Sequence, residues 1–158
     1  MKKKLILLSL IVIPISSYAT LGESASSVTM DNEVLASSAS ILKTQMISAS
    51  TTESTGSIGY QVSTIQATGN ITIKEYVSNG KVFAVSWSGM RNPDLQQLLG
   101  KYFPTFKTTK SVNSGLRQSK ISSGDLVVNI HGVTGDFHGV AYASSLVPAG
   151  FNLQDLYK

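Results

Sequence analysis

The feature that most constrains this chain is an Asn-Gly pair at positions 79 and 80, set between two runs of strand-forming residues. A two-residue type I′ turn needs a positive φ at both central residues, and Asn followed by Gly adopts it at low cost. The pair therefore predicts a β-hairpin. Its predicted register is defined by three cross-strand pairs: Val77 with Val82, Tyr76 with Phe83, and Glu75 with Ala84.

A third run of strand formers precedes the hairpin and extends the prediction to a meander from Tyr60 to Gly89. In the predicted register one face carries Tyr60, Val62, Ile71, Ile73, Val77, Val82 and Ala84. The other face carries Ile65, Thr72, Lys74, Tyr76, Phe83, Val85 and Trp87. Both faces are largely apolar, so each must be covered by a helix or a partner.

The aromatic face has two interpretations. Most large aromatic side chains are buried for packing, which makes this face part of the core. The alternative is an open groove in which Tyr76, Phe83 and Trp87, with Lys74 at the rim, bind a ligand or another envelope protein.

Residues 1–19 have the three parts of a secretory signal peptide. Lys2, Lys3 and Lys4 form a basic start, and residues 5–15 form an apolar run of 11 residues. That run is shorter than the roughly 20 residues of a membrane-spanning helix. Small side chains at Ser17 and Ala19 suit a signal peptidase. We therefore expect cleavage after Ala19, with an uncleaved anchor as the alternative, and a periplasmic or secreted domain at residues 20–158 without a transmembrane segment.

Charge and cysteine content exclude several classes of function. The chain has 13 lysines and arginines against nine acidic residues, a net charge of +4. Three of the lysines lie in the predicted leader, which leaves ten basic against nine acidic side chains in the domain. This balance and the predicted export argue against a nucleic-acid partner. The absence of cysteine means that packing alone must hold the domain together.

Two helices are predicted. The spacing of apolar residues over 29–42 favours a first helix, and the Ser/Thr-rich stretch 48–57 is typical of a flexible loop. For the second helix, Asn92 can cap, Pro93 suits the first helical position and Pro104 ends it. Its apolar stripe consists of Leu95, Leu98, Leu99 and Tyr102.

Several local patterns together resemble one family of exported proteins of Gram-negative bacteria, the domain of unknown function 2844. They are residues 75–77, 82–85 with Trp87 and Gly89, 93–95, 98–100, 102–103, 124–128, Phe137, Gly139, 141–142 and 148–150. The resemblance covers about residues 21–151. It implies an exported α+β domain and supplies no catalytic residue. The Ser-rich stretch 36–57 departs from the more Ala- and Arg-rich helix of the family, which bears on the length of the first helix.

Residues 105–124 form a polar connection with four basic and no acidic side chains: Lys107, Lys110, Arg117 and Lys120. Such a segment can bind an anionic ligand, for example a phosphate or a lipid head group. Isolated charges without aromatic neighbours are also typical of solvated loops. Both interpretations remain open at this point.

The two histidines, His131 and His138, flank a second predicted hairpin with Asp136 between them. A two-residue turn at Thr134 and Gly135 would place the imidazoles opposite each other, where they and Asp136 could share a metal ion. A type I′ turn resists the β-branched Thr134, so a three-residue loop that separates the histidines is the cheaper prediction.

The sequence therefore predicts a single α+β domain, an antiparallel sheet of about five strands flanked by two helices. The five strands are the meander and the C-terminal hairpin. The tail from Leu146 to Lys158 is expected to fold over this sheet, with Leu146, Val147, Phe151 and Leu153 as anchors. No G-x-S-x-G, P-loop or G-x-G-x-x-G motif occurs, so no catalytic residue and no cofactor is assigned.

The leading hypothesis for function is a non-enzymatic binding module. A small hydrolase or metal-dependent enzyme centred on the two histidines is one alternative. A structural component of an envelope assembly that pairs through a sheet edge is another.

Overall fold

The computed structural model describes residues 21–25, 43–49, 58–112, 115 and 117–158. Most of these residues form one antiparallel sheet of seven strands. The strands are β1 (Lys43–Ala49), β2 (Ile58–Ala67), β3 (Ile71–Ser78), β4 (Lys81–Gly89), β5 (Gln118–Ser123), β6 (Leu126–Val133) and β7 (Asp136–Ala143). The helices are α1 (Leu95–Leu99) and α2 (Phe103–Thr108), with 3-10 helices at Gly100–Tyr102, Ser144–Leu146 and Leu153–Tyr157.

The strand order is β1-β2-β3-β4-β7-β6-β5, so two meanders meet where β4 pairs with β7. The predicted meander corresponds to β2, β3 and β4, and the predicted C-terminal hairpin to β6 and β7. The expected number of about five strands is too low, because it omits β1 and β5, the two edge strands of the sheet. Both are rich in Ser, Thr, Gln and Lys, residues that give a weak strand signal and are tolerated at an edge.

The Asn-Gly turn is confirmed: Asn79 has φ 50° and Gly80 has φ 72°, and Val77 pairs with Val82. Beyond that pair the predicted register is wrong. Tyr76 pairs with Ala84 and Glu75 with Val85, because Phe83 is the extra residue of a β-bulge. The bulge moves the rest of β4 to the face opposite to the predicted one.

The loop between β2 and β3 corrects the faces further. Residues 68–70 form a three-residue connection between the paired Ala67 and Ile71, so Ile65 pairs with Ile73. Ile65 therefore shares a face with Ile73, whereas Tyr60 and Val62 lie on the other face. The predicted faces have these positions exchanged.

One face of the sheet, the helix-side face, packs against α1 and α2. Leu98 and Leu99 are fully buried in its core cluster, and Leu95 and Tyr102 pack against the cluster. The predicted apolar stripe is thus confirmed. The strand residues of this cluster are Ile65, Ile71, Ile73, Val77, Val82, Val85, Trp87, Ile121, Leu126, Val128, Ala141 and Ala143.

The helix itself begins and ends differently from the prediction. Asp94, not Asn92, is the N-cap, and its carboxylate accepts from Gln96 N and Gln97 N. Pro93 accordingly precedes the cap. Pro104 does not end the helical segment, since it occupies the first turn of α2, where its missing N–H is not needed. The break comes at Gly100, the C-cap of α1, which has φ 44°.

The other face, the strap-side face, is partly covered by residues 147–158, which we call the C-terminal strap. As predicted, the chain after β7 folds over the sheet: Leu146, Val147, Phe151 and Leu153 pack against a second core cluster. The buried members of this cluster are Tyr60, Val62, Tyr76, Phe83, Ala84, Val140 and Leu156.

Residues 21–25 run beside the start of β4. Leu21 is fully buried and its N–H donates to Leu98 O, while Gly22 N donates to Val82 O and Val82 N donates to Glu23 O. The predicted leader, the predicted helix at 29–42 and residues 50–57 of the predicted loop lie outside the described residues. Within the described part, no helix has the length and apolar character needed to cross a membrane.

Candidate functional site: a polar cleft beside the C-terminal strap

The strap leaves part of the strap-side face uncovered, and a cleft of about 280 Å³ opens there. Strands β3, β4, β7 and β6 form its floor, and the end of the strap forms one wall. The lining residues are Thr72, Lys74, Ser86, Trp87, Ser88, His131, His138, Gly139, Val140, Leu156, Tyr157 and Lys158.

Strand register explains why polar groups gather in this cleft. One row of directly paired residues crosses the sheet from β2 to β5 and is polar throughout: Gln66, Thr72, Ser88, His138, His131 and Gln118. The next row has one apolar member: Thr64, Lys74, Ser86, Val140, Asn129 and Lys120. In the third row Val62, Tyr76, Ala84 and Tyr142 belong to the cluster beneath the strap. The face therefore changes from polar to apolar along the strands, and the strap covers the apolar part.

The two histidines are direct cross-strand partners. Their rings stack with centroids 5.3 Å apart and planes 13° apart. The alternative of a two-residue turn is thus the correct one. Gly135 alone takes a positive φ, 86°, so Thr134 is spared the strain that a type I′ turn would impose. Asp136 contacts His138, with 2.8 Å between Oδ1 and Nε2.

The arrangement of these three side chains does not converge on one point. Stacked imidazoles direct their nitrogen lone pairs outward in two parallel planes, and Asp136 engages one ring only. Among the described residues, no group of three or more His, Cys, Asp or Glu is placed to hold a metal ion. The contacts of His131, Asp136 and His138 are therefore pairwise.

The end of the strap is attached on both sides of the cleft. On one side Lys74 Nζ donates to the main-chain oxygen of Lys158, at 2.7 Å. On the other side Asn129 Nδ2 donates to Tyr157 Oη, at 3.3 Å. Lys158 Nζ also donates to Asp155 Oδ1, and this carboxylate raises the pKa of Lys158.

The cleft floor is connected to the buried cluster through Ser86, which is nearly fully buried. Burial raises the pKa of Tyr76, and the hydrogen bond from the Ser86 side chain opposes that rise. Tyr76 Oη in turn donates to Asp155 O at 3.4 Å. The hydroxyl of Ser86 thus holds a fixed position between the cleft and the aromatic cluster.

The predicted aromatic groove is not a shared open face. Tyr76 and Phe83 lie beneath the strap with 4% and 0% exposure, in ring contact with Phe151. Trp87 lies on the helix-side face, where its Nε1 donates to Asn92 Oδ1 at 3.1 Å. The prediction that Trp87 shares a face with Tyr76 and Phe83 is wrong, because the bulge at Phe83 reverses the side chains that follow it. Of the four predicted groove residues, Lys74 and Trp87 are among the residues that line the cleft, and Tyr76 and Phe83 are not.

The predicted basic loop is not one surface either. Residues 103–108 form α2 and residues 118–123 form β5, so the segment is not a continuous loop. Lys107 lies on α2 above the Phe103 ring, 5.7 Å from its centroid. Lys120 lies on β5 opposite to the buried Ile121 and therefore on the strap-side face. Lys110 and Arg117 are exposed in the connections that follow α2 and precede β5.

The outer edge of β5, where a partner strand could pair, is already engaged at Lys120. Its N–H donates to Ser111 Oγ at 3.1 Å, and its carbonyl oxygen accepts from Val112 N at 2.8 Å. The preceding chain segment thus satisfies the backbone groups of this edge residue.

Five polar residues of the cleft were missed at the level of sequence: Thr72, Ser86, Ser88, Tyr157 and Lys158. A signal was present in β3 and β4, where polar residues alternate with Ile71, Ile73, Val85 and Trp87. Alternation of this kind predicts one polar face. The predicted register lacks the bulge and places Trp87 on the same face as Lys74, so the polar face was not recognised.

Together these features define a small domain built on one sheet, with helices packed on one face and a strap on part of the other. The family model described as "Protein of unknown function (DUF2844)" matches residues 17–156, so the chain belongs to this family and the resemblance is confirmed. No curated protein matches the chain, and no solved structure matches it.

Proposed function

We propose that this protein is a non-enzymatic, exported binding module of the bacterial envelope and that the polar cleft is its ligand site. The observation that carries the proposal is the cleft itself. Two polar rows form its floor, and Leu156 and Tyr157 form an apolar and aromatic wall. Small-molecule sites commonly combine these features: a concave surface, apolar contact area and a few fixed polar groups.

The position of the polar groups on strands supports binding. Side chains on the central strands of a sheet are held more precisely than side chains on loops, which lowers the entropy lost when a ligand binds. Ser86 and Ser88 lie on β4 between β3 and β7, and Lys74 lies on β3 between β2 and β4. The floor is therefore ordered before a ligand arrives.

A hydrolase is the second candidate, and one contact favours it. Asp136 contacts His138, and Ser88 is the cross-strand partner of His138. In a catalytic triad these residues would be the orienting group, the general base and the nucleophile, respectively. Against this, Ser88 makes no hydrogen bond to His138 within the described residues. As β4 is an interior strand, its backbone N–H groups are used in the sheet ladders and offer no oxyanion hole. Binding is the better supported function.

The proposal is tested by amide chemical-shift mapping on the chain from Thr20 onward, titrated with small polar compounds that include neutral sugars, amino acids and inorganic phosphate. At least one compound should shift the amide resonances of Lys74, Ser86 and Ser88 in a saturable manner. Ser88→Ala should weaken that binding, whereas Ser122→Ala should not. Ser122 is an exposed serine on the same face, outside the cleft. Absence of any saturable shift in the cleft would refute the proposal.

The same protein separates the two candidates. An enzyme should hydrolyse a chromogenic ester in a manner abolished by His138→Ala and by Ser88→Ala, with the fold retained in circular dichroism. We expect no hydrolysis above that of the two variants. Turnover that depends on both residues would replace the binding proposal by the hydrolase.

A further inference from the structure

We propose that the cleft binds a neutral sugar, with the hydroxyl groups of one pyranose unit on the polar floor and its C–H face against Tyr157. This inference rests on the proposed function and adds the chemical class of the ligand. Three features of the cleft support it: the hydrogen-bonding groups of the floor, the partners of the charged groups and the aromatic wall.

The hydrogen-bonding groups of the floor can both donate and accept. Thr72 Oγ1 donates to Gln66 Oε1 at 3.0 Å and keeps its acceptor lone pairs. The side chains of Ser88 and His131 make no hydrogen bond within the described residues, and a hydroxyl or a neutral imidazole supplies both a donor and an acceptor. A sugar hydroxyl likewise has one proton and two lone pairs, whereas an oxyanion only accepts and an ammonium group only donates. A mixed floor of this kind therefore matches hydroxyl groups best.

The charged groups at the cleft already have partners in the chain. Lys74 Nζ donates to the main-chain oxygen of Lys158 at 2.7 Å, and Lys158 Nζ donates to Asp155 Oδ1. Asp136 contacts the His138 ring, with 2.8 Å between Oδ1 and Nε2. A charged ligand would have to compete with these contacts, whereas a neutral ligand leaves them in place. The pairing therefore favours a ligand without net charge.

Tyr157 gives the wall of the cleft an accessible aromatic side chain. It is 46% exposed, and its Oη accepts from Asn129 Nδ2 at 3.3 Å, so the tyrosine proton remains available to donate. The face of an aromatic ring carries partial negative charge and attracts the polarised C–H groups on one face of a pyranose ring. An aromatic wall beside a hydroxyl-binding floor is thus complementary to both parts of a sugar.

The size of the cleft limits the ligand to one sugar unit. Its volume of about 280 Å³ corresponds to roughly nine water volumes. This space admits one pyranose ring and not a folded partner. Two sources share this chemistry: a free monosaccharide and the end unit of a glycan.

The experiment is a chemical-shift titration of the chain from Thr20 onward with glucose, galactose, mannose and N-acetylglucosamine, and separately with acetate, inorganic phosphate and glycine. At least one sugar should shift the amide resonances of Ser86, Ser88 and Tyr157 in a saturable manner, and the three charged compounds should not. Because no ion pair forms, the affinity for the sugar should change by less than about twofold between about 0.02 and 0.5 M salt. Tighter binding of an oligosaccharide that ends in the same sugar assigns the unit to a glycan, and equal or weaker binding assigns it to a free monosaccharide.

Substitutions at Tyr157 separate the contribution of the ring from that of the hydroxyl. Tyr157→Phe keeps the ring and should weaken sugar binding by about fivefold or less, as expected for the loss of one neutral hydrogen bond. Tyr157→Leu also removes the ring and should weaken binding by about twentyfold or more. Ser122→Ala is the control on the same face outside the cleft and should leave the affinity unchanged. Circular dichroism of each variant checks that the fold is retained.

Three results would overturn the inference, and they differ in what else they remove. Saturable binding of acetate, phosphate or glycine in the cleft, with no sugar bound, would refute the sugar and leave the binding module in place. Equal sugar affinity in wild type and Tyr157→Leu would refute the contact with the aromatic wall and assign the sugar to another position. No saturable shift with any compound would refute both this inference and the proposed function.

Discussion

Contact between Trp87 and Gly139 determines how closely β4 approaches β7 on the helix-side face. The two residues are cross-strand partners, and the indole lies directly on the glycine. A Cβ atom at Gly139 would lie 2.0 Å from Trp87 Cζ2 and 2.2 Å from its Cε2. The backbone of Gly139 does not adopt a positive φ, so a glycine is not needed there for backbone conformation. It is needed because the Trp87 side chain lies where a Cβ atom would be.

We expect Gly139→Ala to destabilise the protein by about 1–3 kcal/mol, the usual cost of overpacking a core. Gly59→Ala is the matched control, because Gly59 is also in a strand and a Cβ atom added there would have no neighbouring atom within 4 Å. Its effect should stay within about 0.5 kcal/mol. Urea denaturation of both variants measures the difference. Equal midpoints for Gly139→Ala and wild type would mean that the indole moves aside freely.

Comparison of two nearby features shows what a sequence can and cannot predict at this scale. The turn at Asn79 and Gly80 follows from the conformational preferences of two adjacent residues, and its prediction is confirmed. The bulge at Phe83 has no local signal. It places both Phe83 and Ala84 in the cluster beneath the strap, so it depends on residues about 70 positions further along the chain.

At the scale of elements, Asp125 joins three parts of the fold. Its Oδ2 accepts from Tyr102 Oη and from Ser145 Oγ, each at 2.9 Å, and its Oδ1 accepts from Ser145 N at 2.6 Å and from Ser144 Oγ at 3.0 Å. One carboxylate therefore holds together the turn before β6, the end of the 3-10 helix before α2 and the 3-10 helix Ser144–Leu146 that precedes the strap. Burial and the hydrogen bond to Asp125 raise the pKa of Tyr102 to about 12.

This network predicts an acid-dependent stability. Burial acts to raise the pKa of Asp125, but the hydrogen bonds from Ser145, Tyr102 and Ser144 outweigh it and lower the pKa below its usual value. A group whose pKa is lower in the folded state stabilises fully above its unfolded pKa, and this stabilisation is lost as the pH falls through the folded pKa. We expect Asp125→Asn to be less stable than wild type at pH 7 and to lose less stability below pH ~4. Urea titrations at several pH values would contradict this if the two acid slopes were equal.

The strap makes a second prediction at this scale. Phe151 packs edge-on against Tyr60 and Phe83, with ring centroids 5.1 and 5.0 Å apart. Phe151→Ala should cost about 2–4 kcal/mol and expose an apolar surface that binds a hydrophobic dye. The emission of Trp87 should not change, because the indole lies on the other face.

Gln154→Ala is the control for the strap, since Gln154 is exposed on the same segment. It should leave stability and dye binding unchanged. A shift in Trp87 emission with Phe151→Ala would show that loosening the strap also disturbs the helix-side face.

The elements themselves were predictable where amphipathic periodicity was strong. The stripe of α1 and the packing of the strap follow from the spacing of large apolar residues, and both are confirmed. Strands β1 and β5 were missed because edge strands need no such pattern. The cleft was missed because its polar rows arise from pairing between four strands. The predicted register lacks the bulge at Phe83 and therefore places the residues of these rows on different faces of the sheet.

At the scale of the whole molecule, the strap-side face of the sheet has a polar part and an apolar part, and the strap covers the apolar part. It covers the aromatic residues and ends where the polar rows begin, so its last residues become the wall of the cleft. Lys158 couples the cleft to the strap, because its main-chain oxygen accepts from Lys74 and its Nζ donates to Asp155. This coupling could not be inferred from either segment alone.

The position of Leu21 bears on how the molecule is processed. Leu21, two residues after Ala19, is fully buried and its N–H donates to Leu98 O. Export with cleavage after Ala19 would leave Thr20 as the first residue and keep this contact intact. Cleavage further along the chain would remove a buried leucine, at a cost of several kcal/mol.

We expect N-terminal sequencing of exported protein to begin at Thr20. Ala19→Tyr should block processing, because signal peptidases need a small residue next to the cleaved bond, whereas Tyr18→Ala should be processed normally. The unprocessed variant should stay with the membrane fraction through its apolar segment. Exported protein that begins at Met1 would refute the leader. Exported protein that begins after Leu21 would instead require that the contact with Leu98 is dispensable, and thermal denaturation of the shortened chain would then show no loss of stability.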